Sequence, residues 1–238
     1  MIKLIMLSIC FSSVSSIENT WNRHYHNENT NTNSESNSLQ NNVNSRGDYS
    51  IINQKVDHFD RFNLDTFEQR YFVNDTYWKG PDSGAPVFFC VGGEGPPLDS
   101  TVVKVGNEGS EHCDDAMSML QELGALAVAL EHRFYGSSIP YKNDIKTKKN
   151  GKFSNDNLKY HNTEQALQDL KEFVHFIKSK YNILDDRKNK WVTFGGSYPG
   201  MMAAFARLRF PHLIHGAVSS SSPLQASVDM PGYNEVVG

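Results

Sequence analysis

Nine residues, Val192-Thr193-Phe194-Gly195-Gly196-Ser197-Tyr198-Pro199-Gly200, limit what this chain can become more than any other stretch. Apolar residues ending at Phe194 run into paired glycines, a serine, and a helix-forming segment from Met201 to Leu208. A strand, a sharp turn and a helix with Ser at the apex form a nucleophile elbow. The turn strains the backbone at the serine, and a Cβ just before or after it would collide with the flanking strand and helix. Gly195 and Gly196 meet that demand on one side and Gly200 on the other. The pattern departs from G-x-S-x-G in placing Pro199 where the second Gly stands. Proline is tolerated there because the first N–H groups of a helix have no intrahelical partner to lose. The competing reading of the same residues is a glycine turn with an idle serine.

The chain's 238 residues suffice for one α/β domain with a proper core. With 23 basic against 27 acidic residues, a net charge of −4 and no basic stripe, it is not a nucleic-acid binder. Residues 1–16 read as a secretory signal: Lys3 gives the positive start, Leu4 to Val14 the apolar core, Val14-Ser15-Ser16 the cleavage site. That run is too short to span a bilayer and no later stretch is longer, so the mature chain is expected to be soluble and exported. Residues 17–48 include the Asn-, Ser- and Thr-rich run Asn19 to Asn44, expected to be a disordered leader because it can bury too little surface. A propeptide is the functional alternative. Cys10 belongs to the signal, which leaves Cys90 and Cys113. Export permits a disulfide between them, and pairing outside this chain stays open. Asn74-Asp75-Thr76 is the only N-glycosylation sequon, so Asn74 is the expected glycan site.

From Tyr49 the pattern becomes globular. Ile51 to His58 and Phe67 to Val73 read as strands joined by a polar turn. Ala85 to Val91 and Ala125 to Leu130 are continuous apolar runs, the mark of buried strands. Asp114 to Leu123 has helical spacing, with Ala116, Met119, Leu120 and Leu123 on one face. Asn162, with Gln165 three residues on, resembles a capping box opening a helix whose inner face is Leu167, Leu170, Val174, Ile177 and Tyr181. Lys190 to Phe194 leads into the elbow, and Ile214 to Val218 is a further strand. Alternating strands and helices predict a mostly parallel sheet flanked by helices. With the elbow, that is an α/β-hydrolase fold.

An acyl-transfer serine hydrolase needs a nucleophile, an oxyanion hole, a base and an acid that orients the base. Ser197 is the candidate nucleophile, and the N–H of Tyr198, at the positive end of the next helix, the first oxyanion donor. The second is expected from the loop after the third strand, where Gly92-Gly93-Glu94-Gly95 stands; Gly93 is the candidate. The base is the difficulty. Only His212 and His215 follow Ser197, with no carboxylate between Ser197 and either of them, and both read as structural. His58, His112, His132, His161 and His175 precede the serine and fit no triad order in this fold. No histidine pair has metal-site spacing, and no cofactor or metal is expected.

Seven blocks carry a resemblance. They are Val56-Asp57-His58-Phe59, Phe67 to Asn74, Gly92-Gly93-Glu94-Gly95-Pro96, Glu131-His132-Arg133-Phe134-Tyr135-Gly136-Ser137-Ser138, Gly195 to Gly200, Pro211-His212-Leu213, and Gly216 to Ser220. In this order they resemble the serine carboxypeptidase family of lysosomal Pro-X carboxypeptidase, dipeptidyl peptidase II and thymus-specific serine protease, from about Val56 to the C-terminus. The resemblance implies an exported or lysosomal exopeptidase acting beside proline, with Ser197 as nucleophile. It implies a peptide substrate, neither nucleic acid nor membrane as partner, and admits a homodimer. It assigns the arginine and aromatics of the Glu131 block to active-site walls and packing, against a plainer reading as an interior Glu131–Arg133 ion pair. It also implies a helical cap inserted near Ser220, with the triad Asp and His beyond it. On that basis 49–223 is expected to be the N-terminal part of the hydrolase domain, and 224–238 the start of the cap insertion. The chain is then the N-terminal half of such an enzyme, truncated before the cap and the last strands and inactive alone. The rivals are a non-catalytic secreted binding protein and an esterase or lipase built on the same elbow.

Overall fold

A computed structural model describes residues 49–141, 154–184 and 188–225, with 228, 231, 232 and 235. The expected signal (1–16), the leader (17–48) and much of 224–238 lie outside the described residues.

Strands β1 (Ser50–Lys55) and β2 (Thr66–Asn74) pair as an antiparallel hairpin, Ile52 against Gln69. β3 (Val87–Val91) and β4 (Leu126–Leu130) are buried at every position. β5 (Trp191–Gly196) and β6 (Ile214–Ser220) complete one six-stranded sheet in the order β1-β2-β4-β3-β5-β6. β2 meets β4 antiparallel; β4, β3, β5 and β6 are mutually parallel. The sheet is therefore mostly parallel, and its central strands β3 and β4 are covered on both faces, as their continuous apolar runs require, whereas β1 and β2 alternate exposed and buried residues.

Alternate residues of β3 and β4 feed the two faces. Val87, Phe89, Val91, Leu126 and Val128 pack under two helices, α4 (Thr163–Lys180) and α5 (Ser197–Arg209). Phe88, Cys90, Ala127 and Ala129 face α1 (Asp114–Met117) and α2 (Leu120–Leu123), two single turns. A fifth helix, α3 (Asn155–Leu158), is also one turn. Cys90 of β3 is disulfide-bonded to Cys113 just before α1, with Cα atoms 6.0 Å apart, which closes the question the cysteine count left open.

Two helical faces differ from expectation. The Asp114–Leu123 segment breaks at Ser118-Met119 into α1 and α2. Ala116, Met117 and Leu120 are buried, while Met119 and Leu123 are exposed. On α4 the buried stripe runs through Ala166, Asp169, Leu170, Phe173, Val174 and Ile177. Leu167 and Tyr181 lie at its margin, because Phe173 centres the stripe by packing its ring on Phe89 and Tyr71, 5.1 and 5.3 Å away. Asn162 caps α4 by accepting the Gln165 N–H at 2.9 Å. The Gln165 side chain does not return the bond. It accepts from the His58 N–H and donates to Asp57, tying the helix start to the β1–β2 connection. No helix among the described residues is long and apolar enough to cross a membrane.

Candidate active site

At the junction of β5 and α5, Ser197 sits at φ 57°, in the left-handed region that residues other than glycine rarely enter. Holding a serine there costs on the order of 1–3 kcal/mol and needs surroundings that permit nothing else. The surroundings are tight. A Cβ on Gly195 would lie 2.5 Å from the Pro199 carbonyl carbon and oxygen, and one on Gly200 would lie 2.3 Å from the Ser222 Oγ and 2.7 Å from the Gly195 carbonyl oxygen. Gly196 is different: its nearest neighbour, the Ser220 carbonyl oxygen, is 4.0 Å away, so the expectation that it too must be small is corrected. Pro199 stands in the first turn of α5, where no intrahelical bond is lost.

Ser197 is exposed, and the N–H of Tyr198 belongs to the same first turn, at the positive end of α5. The loop after β3 comes to meet it. Gly92 donates its N–H to the Leu130 carbonyl at 3.1 Å, and a Cβ on Gly93 would lie 2.2 Å from Pro199 Cγ. Ser197, Tyr198 and Gly93, a hundred residues apart in the chain, are thus brought together at the end of the parallel strands.

A cavity of about 360 Å³ opens beside the elbow, lined by Glu94, Tyr135, His161, Asn162, Thr163 and Tyr198. Behind it His132 is buried, its Nδ1 2.7 Å from the Arg133 carbonyl and its Nε2 2.9 Å from the Tyr198 hydroxyl. The carbonyl can only accept, so Nδ1 carries the proton and Nε2 accepts from the Tyr198 O–H. Burial is the main force lowering the His132 pKa, to about 4, and it keeps the ring neutral at neutral pH. Burial and the Glu94 charge raise the Tyr135 phenol. Burial, then Tyr135 and Glu94, raise that of Tyr198. Burial and the Arg133 charge lower His161.

The Glu131 block takes a different form from either expectation. Glu131 and Arg133 are both buried but do not pair with each other. Glu131 is paired with Arg70, and Arg133 with Asp169 of α4. Glu131 and Arg133 lie at alternate positions just past the end of β4, and each meets the element on its own side. All five guanidinium N–H groups of Arg133 are used: two on Asp169 at 2.7 and 2.6 Å, the others on the carbonyls of Val56, Tyr160 and Lys55. Arg133 is therefore a cross-link in the interior and not an active-site wall, whereas Tyr135 of the same block does line the cavity. The histidines after the elbow are remote. His215 is the second residue of β6, which runs parallel to β5 with Ile214 beside Trp191 and Ser220 beside Gly196. At about 3.3 Å per residue that puts it roughly 17 Å from the elbow. His212 lies before the same end of β6. No histidine among the described residues hydrogen-bonds Ser197. Asn74 ends β2, half-buried, its Nδ2 donating to the Val103 carbonyl at 2.8 Å. An amide nitrogen has two hydrogens, so a glycan there leaves this bond its donor.

Sequence reasoning missed the His132–Tyr198 contact and the cavity around it. The signal lay in Glu131–Ser138, whose density of aromatics and ionisable groups is unusual for a strand exit.

A family model described as serine carboxypeptidase S28 matches residues 54–238. The thymus-specific serine protease of Mus musculus is 38% identical over 186 residues, 78% of this chain and 32% of that protein. The lysosomal Pro-X carboxypeptidase of Bos taurus is 39% identical over 180 residues, 74% of this chain and 32% of that protein. The chain spans about a third of the length of the curated relatives it matches. Among solved structures, the proline iminopeptidase of Mycobacterium smegmatis aligns with a TM-score of 0.43 and 13% identity, over 73% of this chain and 44% of that one.

Proposed function

The chain belongs to the serine carboxypeptidase S28 family, and from that premise we propose that it carries the nucleophile and oxyanion hole of a serine exopeptidase cleaving peptides beside proline. The observation that carries the reading is Ser197 at φ 57° between two glycines that cannot bear a side chain, with Gly93 lying on the elbow's own Pro199. In the proposed reaction Ser197 Oγ attacks the scissile carbonyl carbon. The proton passes to a base and the developing oxyanion is received by the N–H groups of Tyr198 and Gly93. The Oγ–acyl bond forms as the peptide C–N bond breaks and the amine leaves with the proton; water then releases the acyl group. The base and its orienting acid are proposed to lie outside the described residues. The cavity beside the elbow would take a residue flanking the scissile bond.

We further propose export to the lysosome or the exterior, with a glycan on Asn74; glycosidase treatment would lower the mass of the exported protein. A fluorophosphonate probe tests the nucleophile. It should label a form of the protein that carries the proposed base and acid, and the adduct should map to Ser197. Ser197→Ala should remove labelling, and persistence of the label in that variant would sink the assignment. A non-catalytic binding protein, the rival reading, would show no label in either.

A further inference from the structure

We propose that Glu131 and Arg70 form a clamp that positions the oxyanion loop, acting on Gly93 through Leu98. The inference rests on the assignment of Ser197 and the Gly93 N–H above and adds two positioning residues that touch no reacting atom.

The loop from Gly92 to Leu98 has little to hold its shape. Glu94, Gly95, Pro96 and Pro97 are exposed, and Gly95 has φ 116°. Its near end is fixed by the Gly92 N–H on the Leu130 carbonyl. Its far end is fixed at Leu98, and both backbone groups of that residue are taken. The Leu98 N–H donates to Glu131 Oε1 at 3.1 Å, and the Leu98 carbonyl accepts from Arg70 Nη2 at 3.1 Å. The Leu98 side chain then reaches back over the start of the loop: a Cβ on Gly92 would lie 3.0 Å from Leu98 Cδ1.

The clamp is itself rigid. Arg70 Nε donates to Glu131 Oε2 at 2.9 Å, and Arg70 Nη2 also pairs with Oε1. The Ser138 Oγ donates to Oε2 at 2.6 Å, with the Ser138 and Ser137 N–H groups at 3.1 and 3.2 Å. Glu131 is 1% exposed. Every partner of the carboxylate is a donor, and its two oxygens are divided between them. Oε2 serves the turn after β4 and Oε1 serves the loop. Even the turn makes room for it: at Gly136 (φ 52°) a Cβ would lie 2.0 Å from Oε1. A buried carboxylate satisfied this fully could be structural only. The Leu98 bonds argue for more, because they anchor the far end of a segment whose middle, 94–97, is exposed and whose start carries the Gly93 N–H.

In the same base-bearing form, the test compares Glu131→Gln, Arg70→Lys and Ser138→Ala by phosphonylation kinetics and amide hydrogen exchange. Glu131→Gln turns one oxygen into a donor among donors. Arg70→Lys keeps the charge but loses the fork that reaches Glu131 and Leu98 together. Both should lower the limiting rate of Ser197 phosphonylation by about 100-fold, with the half-saturating probe concentration within about twofold. Exchange at the Leu98 amide should speed up in both. Ser138→Ala removes a donor from Oε2 and the acceptor of the Arg70 N–H, and leaves the Leu98 bonds. It should lower the unfolding midpoint while the labelling rate stays near wild type. Equal rates in all four proteins would overturn the clamp, and so would a loss in Ser138→Ala as large as in the other two. If Glu131→Gln fails to fold, Arg70→Lys decides alone. If the wild type is not labelled, the Ser197 reading fails. The clamp is then judged by exchange: faster exchange at Leu98 in Arg70→Lys upholds it, unchanged exchange refutes it.

Discussion

At residue 195 the elbow can be interrogated one atom at a time. A methyl group there would need to occupy the space of the Pro199 carbonyl, whereas at 196 the nearest atom is 4.0 Å away and the backbone is extended. Gly195→Ala should therefore push α5 off the strand. It should cost about 1–3 kcal/mol of stability, by the logic of overpacking, and about 100-fold in the rate of Ser197 labelling. Gly196→Ala should stay within about 0.5 kcal/mol of wild type. Urea unfolding and probe kinetics on the two variants check the contrast, and equal behaviour would mean that the elbow is looser than its geometry. The sequence made the three glycines look alike, because composition records only that a side chain is absent. Which of them faces backbone and which faces space depends on where Ser220, Ser222 and Pro199 come to rest. The strained serine itself was legible, since a strand, a glycine pair and a helix leave it no other conformation.

Among the elements, the long connection from β3 to α1 decides whether the site is assembled. It carries Gly92 and Gly93 at one end and Cys113 at the other, and the Cys90–Cys113 bond closes it at a separation of 23 residues. His112 adds a bond to the Val91 carbonyl at 2.9 Å. In the chain-entropy account, a loop of that length is worth about 3 kcal/mol. The paired variant Cys90→Ala with Cys113→Ala should lose roughly that much in urea unfolding, and its Gly92 and Gly93 amides should exchange faster than in wild type. A loss below about 0.5 kcal/mol would show that packing of the connection onto the sheet fixes it without the bridge. This pairing could not be derived from two cysteines in isolation, since the alternatives differ only in what lies near them after folding. The strands were easier, because apolar continuity from Val87 to Val91 and Leu126 to Leu130 is a local signal. Helix faces fell between: α4 was found and Asn162 caps it, but Gln165 does not complete the capping box and the stripe is set by Phe173, which the choice of apolar positions passed over.

For the whole molecule, a buried polar network ties together elements that already share the apolar core, β1, β2, β4 and α4. Asp169 of α4 receives Arg133 from the end of β4 and lies 2.7 Å from His58 Nε2; Gln69 of β2 and Gln54 of β1 continue the network. Almost none of this was legible, because a contact such as Arg133 with Asp169, or His132 with Tyr198, spans tens of residues and leaves no period in the chain. Its consequence is a pH dependence whose sign can be worked out. Burial would push the Asp169 carboxyl up, but Arg133 and His58 outweigh it and hold the group below the usual range. Its contribution is therefore present above about pH 4 and is lost as the pH falls further. His132 acts earlier. Burial lowers it to about 4, with His161 and the Arg133 charge in the same sense and Asp169 and the Arg133 carbonyl opposed. Between about pH 6.5 and 4 the unfolded chain binds a proton at this histidine and the fold does not, so stability must fall as the pH falls through that window. The full difference corresponds to roughly 3 kcal/mol. His161 and His175, also lowered mainly by burial, act in the same direction, more weakly because both are exposed. Unfolding free energies measured from pH 7 to pH 4 should decline, and His132→Gln, which cannot titrate, should remove most of the decline. A variant that loses stability as steeply as wild type over that range would place the proton uptake elsewhere and leave the buried His132–Tyr198 pair without a role in it.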